Sequence, residues 1–174
     1  TMMRIDFDVP MKPGATIVLK IDWHYRIPER INHFAGTRGG YEYFSEDGNA
    51  LFTIAQWYPR LCVYSDFQGW QNHQFTGRGE FALTFGNFTV EMTVPADHIV
   101  GATGECSNYQ QVLSPTQYSR WQQAQKATEP LQIVTLADAQ KAEMQKSTAT
   151  KTWIFKANMV RDFAWTSSRK FIWD

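Results

Sequence analysis

The sequence predicts a mostly β protein: an antiparallel β-sandwich or saddle-shaped sheet domain with a short helical insertion near residues 115–146. Three observations lead to this prediction. Aromatic residues make up 15% of the chain, and such side chains pack well on pleated sheets. Apolar and polar residues alternate with a period of two over several segments, which is typical of half-buried strands. Turn-forming residues separate these segments.

The first half of the chain contains most of the predicted strands. Residues 3–9 and 17–25 alternate apolar with polar side chains, and "PMKPG" forms a turn between them. "YEYF", "SEDGN" and "ALFTIAQWY" follow in a pattern that predicts a β-hairpin. A second hairpin is predicted over residues 79–95, with Gly86 and Asn87 as a two-residue turn that places Phe85 opposite Phe88.

The pattern changes at Ser114, where Ser followed by Pro predicts the start of a helix. "LADAQKAEMQKS" predicts a second short helix, after the strand-like "LQIVT". Strand patterns return in "KTWIFKA" and in "RDFAWTSSRKFIWD". Because no internal repeat or linker interrupts residues 1–174, the sequence predicts a single domain.

Charge and hydropathy exclude two classes of protein. The 17 basic residues are balanced by 17 acidic ones, so we expect no nucleic-acid partner. No apolar run approaches the roughly eighteen residues of a membrane span, so we expect no transmembrane segment. The apolar start and end predict that the chain is a fragment of a longer protein. Cys62 and Cys106 lie far apart and outside any C-x-x-C pattern, which favours two free thiols over a disulfide.

The residues alone give no catalytic set, no metal ligands and no cofactor site. None of the four histidines belongs to an H-E-x-x-H pattern, and no G-x-S-x-G or phosphate-binding loop is present. In the stretch "TIAQWYPRLCVYSDFQGW", however, the polar residues Gln56, Arg60 and Asp66 are surrounded in sequence by mostly apolar residues. Gln56 is either a core residue that satisfies a backbone group or a group that faces a ligand. Arg60 and Asp66 are predicted to form an internal ion pair.

Four segments of the sequence, in this order, carry a family resemblance. They are "QWYPRLCVYSDFQGW", "GRGEFALTFGNFTVEMTVPADHIVGATGE" and "KTWIFKANMVRDFAW" followed by "KFIWD". Together they resemble the N-terminal domain of the aminopeptidase N family, which comprises zinc-dependent metallopeptidases of the gluzincin class. The resemblance covers nearly the whole chain. It departs from the family where other members have F-P-C-x-D-x-P and this chain has "YPRLCVYSD".

The resemblance implies a non-catalytic β-domain that packs on a catalytic domain of the same protein. That catalytic domain would follow Asp174 and would hold the zinc, the general-base glutamate and the G-x-M-E-N motif. The N-terminal domain would form one wall of the entrance for peptide substrates. Gln56 matches the family's glutamine that helps to hold the substrate's free amino end. Catalytic residues and metal ligands are therefore expected to be absent from this chain.

Two other hypotheses remain open at this point. In one, the chain is a stand-alone β-sandwich that binds a carbohydrate or peptide, with Trp70 and Trp121 as exposed aromatic platforms. In the other, it is a structural adaptor in which Gln56 is buried and fully hydrogen-bonded. The aminopeptidase hypothesis predicts instead that the Gln56 side chain is at least partly open, whereas Trp57, Tyr58 and Trp70 are predicted to lie mostly in the core.

Overall fold

The structure is a computed structural model that describes residues 2–30, 39–73 and 82–174. Within these residues the chain is mostly β, with antiparallel sheets and a short helical insertion, which confirms the predicted fold class. The backbone separates into two compact units. One consists of Thr1–Tyr25 and Tyr58–Thr84, and the other of Arg26–Trp57 and Phe85–Asp174.

Nine strands and three helices occur in the described residues. The strands are β1 (Gly40–Phe44), β2 (Asn49–Ile54), β3 (Tyr64–Ser65), β4 (Gly69–Trp70), β5 (Gly86–Pro95), β6 (Ile99–Ala102), β7 (Glu105–Cys106), β8 (Thr150–Val160) and β9 (Trp165–Ser168). The helices are α1 (Tyr109–Val112), α2 (Pro115–Ala124) and α3 (Leu136–Gln145). Among the described residues, none of these helices has the length and apolar character that crossing a bilayer requires.

A four-stranded antiparallel sheet in the larger unit positions the candidate site. Its strand order is β1-β2-β9-β6. β1 and β2 form the first predicted hairpin, in which Phe44 lies opposite Asn49 across the "SEDGN" turn. β2 ends at Ile54 rather than continuing to Tyr58 as predicted, because its pairing with β9 also ends there, at Trp165. Gln56 therefore lies just beyond the end of the sheet.

A three-stranded sheet with the order β5-β8-β7 supplies much of the core of the same unit. Met92 and Val94 in β5 are buried, and so are Trp153 and Phe155 in β8. In both strands these residues are two positions apart, as the period of a strand requires. The alternation of Phe88, Val90, Met92 and Val94 in the sequence therefore identified the buried face of β5 correctly.

The predicted hairpin around Gly86 and Asn87 is wrong. Gly86 is the first residue of β5 and lies opposite Val160 of β8, with a register shift before Phe88. At this irregularity Met159 has a φ of 53°, and its backbone N–H donates to Asn87 Oδ1 at 2.9 Å. The irregularity is therefore a bulge in β8, where Asn158 and Met159 lie opposite the single residue Asn87 of β5. Phe81, one residue of the predicted first strand, lies outside the described residues.

Both longer helices begin at the residues that the sequence indicated. The Ser114 side chain accepts from Gln117 N, and the Gln117 side chain accepts from Ser114 N, which completes a capping box at the start of α2. Thr135 and Asp138 form the same arrangement at the start of α3. These contacts satisfy backbone donors that the first turn of a helix otherwise leaves unpaired. The strand-like "LQIVT" forms only an isolated bridge between Val134 and Trp173.

The first residues of the smaller unit do not form the strands that the sequence predicted. Residues 2–25 form no strand, and most of their side chains are exposed, including those of Met3 and Val18. The predicted strands at 3–9 and 17–25 are therefore wrong in the described residues. Alternation defines which side chains would share a face, but a strand also requires a neighbour to accept its hydrogen bonds. The strands described in this unit are the short β3 and β4 pair.

Gly104 lies just before β7 and packs closely against β8. A substitution at this position therefore tests how closely the two strands approach. Its φ is +85°, and a Cβ at this position would lie 2.2 Å from Lys156 O and 2.7 Å from Ala157 Cβ. We expect Gly104→Ala to lower the free energy of unfolding by about 1–3 kcal/mol, since overpacking and an unfavourable φ act together. Urea denaturation followed by circular dichroism measures this change.

Gly86→Ala is the matched control for Gly104→Ala. The nearest atom to a Cβ at Gly86 is Phe88 Cε2, at 3.7 Å, which is an ordinary contact. We expect the control to change stability by about 0.5 kcal/mol at most, as exposed substitutions usually do. Equal losses in the two variants would show that β7 does not lie this close to β8.

Candidate functional site

The Gln56 corner, which we define as residues Ala55, Gln56 and Trp57, follows the last residue of β2. Gln56 has a φ of 53° and an exposed side chain. Its amide makes no hydrogen bond to any described residue. The interpretation of Gln56 as a core residue that satisfies a backbone group is therefore not supported by its position.

A left-handed φ is unusual for glutamine and costs on the order of 1 kcal/mol. Such a conformation persists only where the surrounding structure imposes it. At Gln56 the constraint comes from both sides. Ile54 precedes it as a buried residue of β2, opposite Trp165 of β9, and Trp57 follows it with contacts of its own. The corner is therefore a fixed feature of the larger unit.

Trp57 connects the corner to the core. Its indole Nε1–H donates to the carbonyl oxygen of Phe163 at 3.0 Å. Its ring meets that of Trp165 edge-on, with centroids 6.5 Å apart. Phe163 is completely buried. These contacts fix the position of Trp57. Because Trp57 is the next residue along the chain, they also restrict the backbone of Gln56, whose amide is exposed.

Trp165 carries a buried polar group close to this corner. Its indole Nε1–H is buried and has no hydrogen-bond partner among the described residues. A buried donor without an acceptor costs roughly 1–3 kcal/mol. Such groups usually have a water or another molecule as partner.

Other predictions for the opening aromatic stretch are only partly correct. Asp66 does not pair with Arg60, whose guanidinium instead lies 5.6 Å from the centre of the Tyr58 ring. Trp70 is 54% exposed and packs edge-on against Tyr64, so its prediction as a core residue is wrong. Trp57 and Tyr58 are both half-buried, so the prediction that they lie mostly in the core is only partly correct. Cys62 and Cys106 are both free thiols, as predicted.

A buried polar cluster lies in the same sheet and was not found from the sequence. His98 Nδ1 lies 2.8 Å from Ser167 Oγ, and Arg169 Nε donates to Asp97 Oδ2 at 2.8 Å. Burial lowers the pKa of His98 from 6.5 to about 4. The His98–Ser167 contact has the geometry of a base and nucleophile, but Ser167 is only 1% exposed. A substrate therefore has no access to this serine, and the cluster is structural.

The described residues do not supply a metal site. No group of three or more His, Cys, Asp or Glu side chains within them could hold a metal ion. His24 and His73 are exposed, while His33 lies outside the described residues.

Comparisons with protein-family models, with curated proteins and with solved structures each found no match. The geometry of the Gln56 corner is therefore the observation on which a functional proposal rests.

Proposed function

We propose that this chain is a non-catalytic β-domain of a zinc-dependent aminopeptidase, in which Gln56 contacts the free amino end of peptide substrates. The observation that carries the proposal is the exposed Gln56 amide, without a partner among the described residues, on a fixed left-handed corner. The resemblance of residues 56–70 to the aminopeptidase N family supports the same position. The structural adaptor hypothesis required a buried, hydrogen-bonded Gln56 and is not favoured.

An amide oxygen suits this role. The Gln56 Oε1 atom can accept a hydrogen bond from an ammonium group without carrying a charge of its own. Because the ammonium is charged, such a bond is worth roughly 1.5–3 kcal/mol. Trp57 keeps the corner in place through its bond to Phe163 O, so little conformational freedom is lost when a substrate binds.

In this proposal the catalytic domain of the same protein holds the zinc ion, and peptides are its substrates. The chain by itself is expected neither to bind zinc stoichiometrically nor to cleave peptides. The first test is the coding sequence that follows Asp174, read for about 150 residues, roughly one domain. An H-E-x-x-H motif with a further glutamate ligand supports the proposal. A continuation without that motif contradicts it.

Substitution of Gln56 in the full-length gene product tests the role of the amide directly. We expect Gln56→Ala to lower kcat/KM for amino-acid 4-nitroanilides by about 10–100-fold, because one hydrogen bond to a charged group is lost. Steady-state kinetics measure this loss. Gln68→Ala, which removes an exposed glutamine between β3 and β4, is the matched control and should leave kcat/KM unchanged.

Gln56→Gly separates loss of the amide from damage to the fold. Glycine adopts a positive φ without strain, so this variant should be more stable than the parent by up to about 1 kcal/mol. It should nevertheless lose activity to the same degree as Gln56→Ala. Wild-type kcat/KM in both variants would show that Gln56 does not contact the substrate.

A further inference from the structure

A second concave surface lies in the larger unit, beside α2. We call it the α2 cleft and define it by Gln110, Gln111, Tyr118 and Trp121, with Tyr109 at its base. Its volume is about 190 Å³. Gln110 and Tyr118 also line an adjoining concavity, which Gln122 borders. Tyr118 therefore separates two neighbouring recesses on one face of the molecule.

Aromatic rings stack against one another in the α2 cleft, and we call Tyr118, Trp121 and Tyr109 the platform. Tyr118 and Trp121 stack with an angle of 15° between their planes and centroids 5.6 Å apart. Trp121 also packs on Tyr109, at 4.9 Å, and Tyr109 meets the completely buried Trp153 edge-on. Since the platform rests on the core of the unit, its rings are held in place while Trp121 and Tyr118 remain only half-buried.

The polar groups around the platform are uncharged. Among the described residues, no Asp, Glu, Lys or Arg lines either recess. Gln110 and Gln122 are exposed, and their amides make no hydrogen bond to a described residue. Each amide offers two donors and one acceptor oxygen. This combination complements a ligand whose own groups both donate and accept, as hydroxyl groups do.

We propose that the α2 cleft binds a neutral oligosaccharide, with a pyranose ring against Trp121 and Tyr118. The apolar C–H face of such a ring matches an aromatic surface, whereas its hydroxyls can bond to Gln110 and Gln122. A proline-rich peptide also fits aromatic grooves, but its backbone offers only acceptors and leaves the amide oxygens unpaired. An anionic sugar lacks a cationic partner among the lining residues. The proposal concerns a surface separate from the Gln56 corner and does not depend on the aminopeptidase proposal.

Isothermal titration calorimetry of the 174-residue chain with four neutral trisaccharides tests this site. The probes are cellotriose, maltotriose, mannotriose and N-acetylchitotriose. We expect at least one to bind with a Kd of about 1 mM or tighter. Trp121→Ala should weaken that binding by about tenfold or more, as loss of a central aromatic contact does. Gln110→Ala and Gln122→Ala should each weaken it without affecting the fold, because both side chains are exposed.

Trp70→Ala is the matched control, since Trp70 is an exposed tryptophan of the smaller unit. It should leave trisaccharide binding unchanged. The proposal is overturned if none of the four trisaccharides binds at 10 mM, about ten times the expected Kd. It is also overturned if the glutamine variants bind like the parent, or if Trp70→Ala rather than Trp121→Ala abolishes binding. Binding of decaproline in place of any sugar would identify a peptide site instead.

Discussion

Replacing Phe163 with alanine is expected to lower the free energy of unfolding by about 3–5 kcal/mol, the usual loss for a buried phenylalanine. Phe163 has no exposed surface, and its ring packs against Phe88 with centroids 6.0 Å apart. Alanine would leave a cavity between β5 and the chain that leads into β9. Urea denaturation of the 174-residue chain, followed by far-ultraviolet circular dichroism, measures the change.

Phe67→Ala provides the control for this prediction, because Phe67 is 79% exposed and its loss should cost about 0.5 kcal/mol or less. A second measurement links stability to the candidate site. The Phe163 carbonyl accepts from the Trp57 indole, so the near-ultraviolet signal of tryptophan should weaken in Phe163→Ala. A loss below about 1 kcal/mol would mean that Phe163 is not a core residue.

The elements that the sequence predicted correctly are those with local causes. The β1–β2 hairpin closes over its own turn, and α2 begins at a capping box formed within four residues. The turn predicted at Gly86 and Asn87 was wrong because the strand that pairs with this segment lies far away in the sequence. β5 begins at Gly86 and pairs with β8, where Gly86 lies opposite Val160. Local alternation cannot distinguish a turn from the start of a strand when the pairing strand is distant in sequence.

The backbone conformation of the candidate site could not be predicted from the sequence. The family resemblance indicated Gln56, yet its positive φ and exposure follow from where β2 ends and from the Trp57 contact with Phe163. That contact joins residues 106 positions apart. The His98–Ser167 pair spans 69 positions, and no short motif marks it. Long-range packing therefore decided which polar residues are exposed and which are buried.

Acidification should destabilise the protein through His98. Burial, and to a lesser degree Arg169 and Lys151, lower the pKa of His98 to about 4, while Asp97 opposes this shift. In the unfolded chain this histidine has its ordinary pKa near 6.5. Between about pH 6.5 and pH 4 the unfolded state therefore binds a proton at this histidine, whereas the folded state does not. Stability is therefore complete above pH 6.5 and declines as the pH falls through this window. The expected loss between pH 7 and pH 5 is about 2 kcal/mol.

Urea denaturation at intervals between pH 7 and pH 5 measures the decline, over a range in which the folded His98 remains neutral. His98→Gln keeps an uncharged side chain that can still bond to Ser167, so its stability should vary little with pH across this range. His73→Gln removes an exposed histidine and should retain the decline of the parent. A decline in His98→Gln equal to that of the parent would assign the acid sensitivity to another group. Because His98 is only 4% exposed, its protonation requires either local opening or loss of the sheet that contains Ser167.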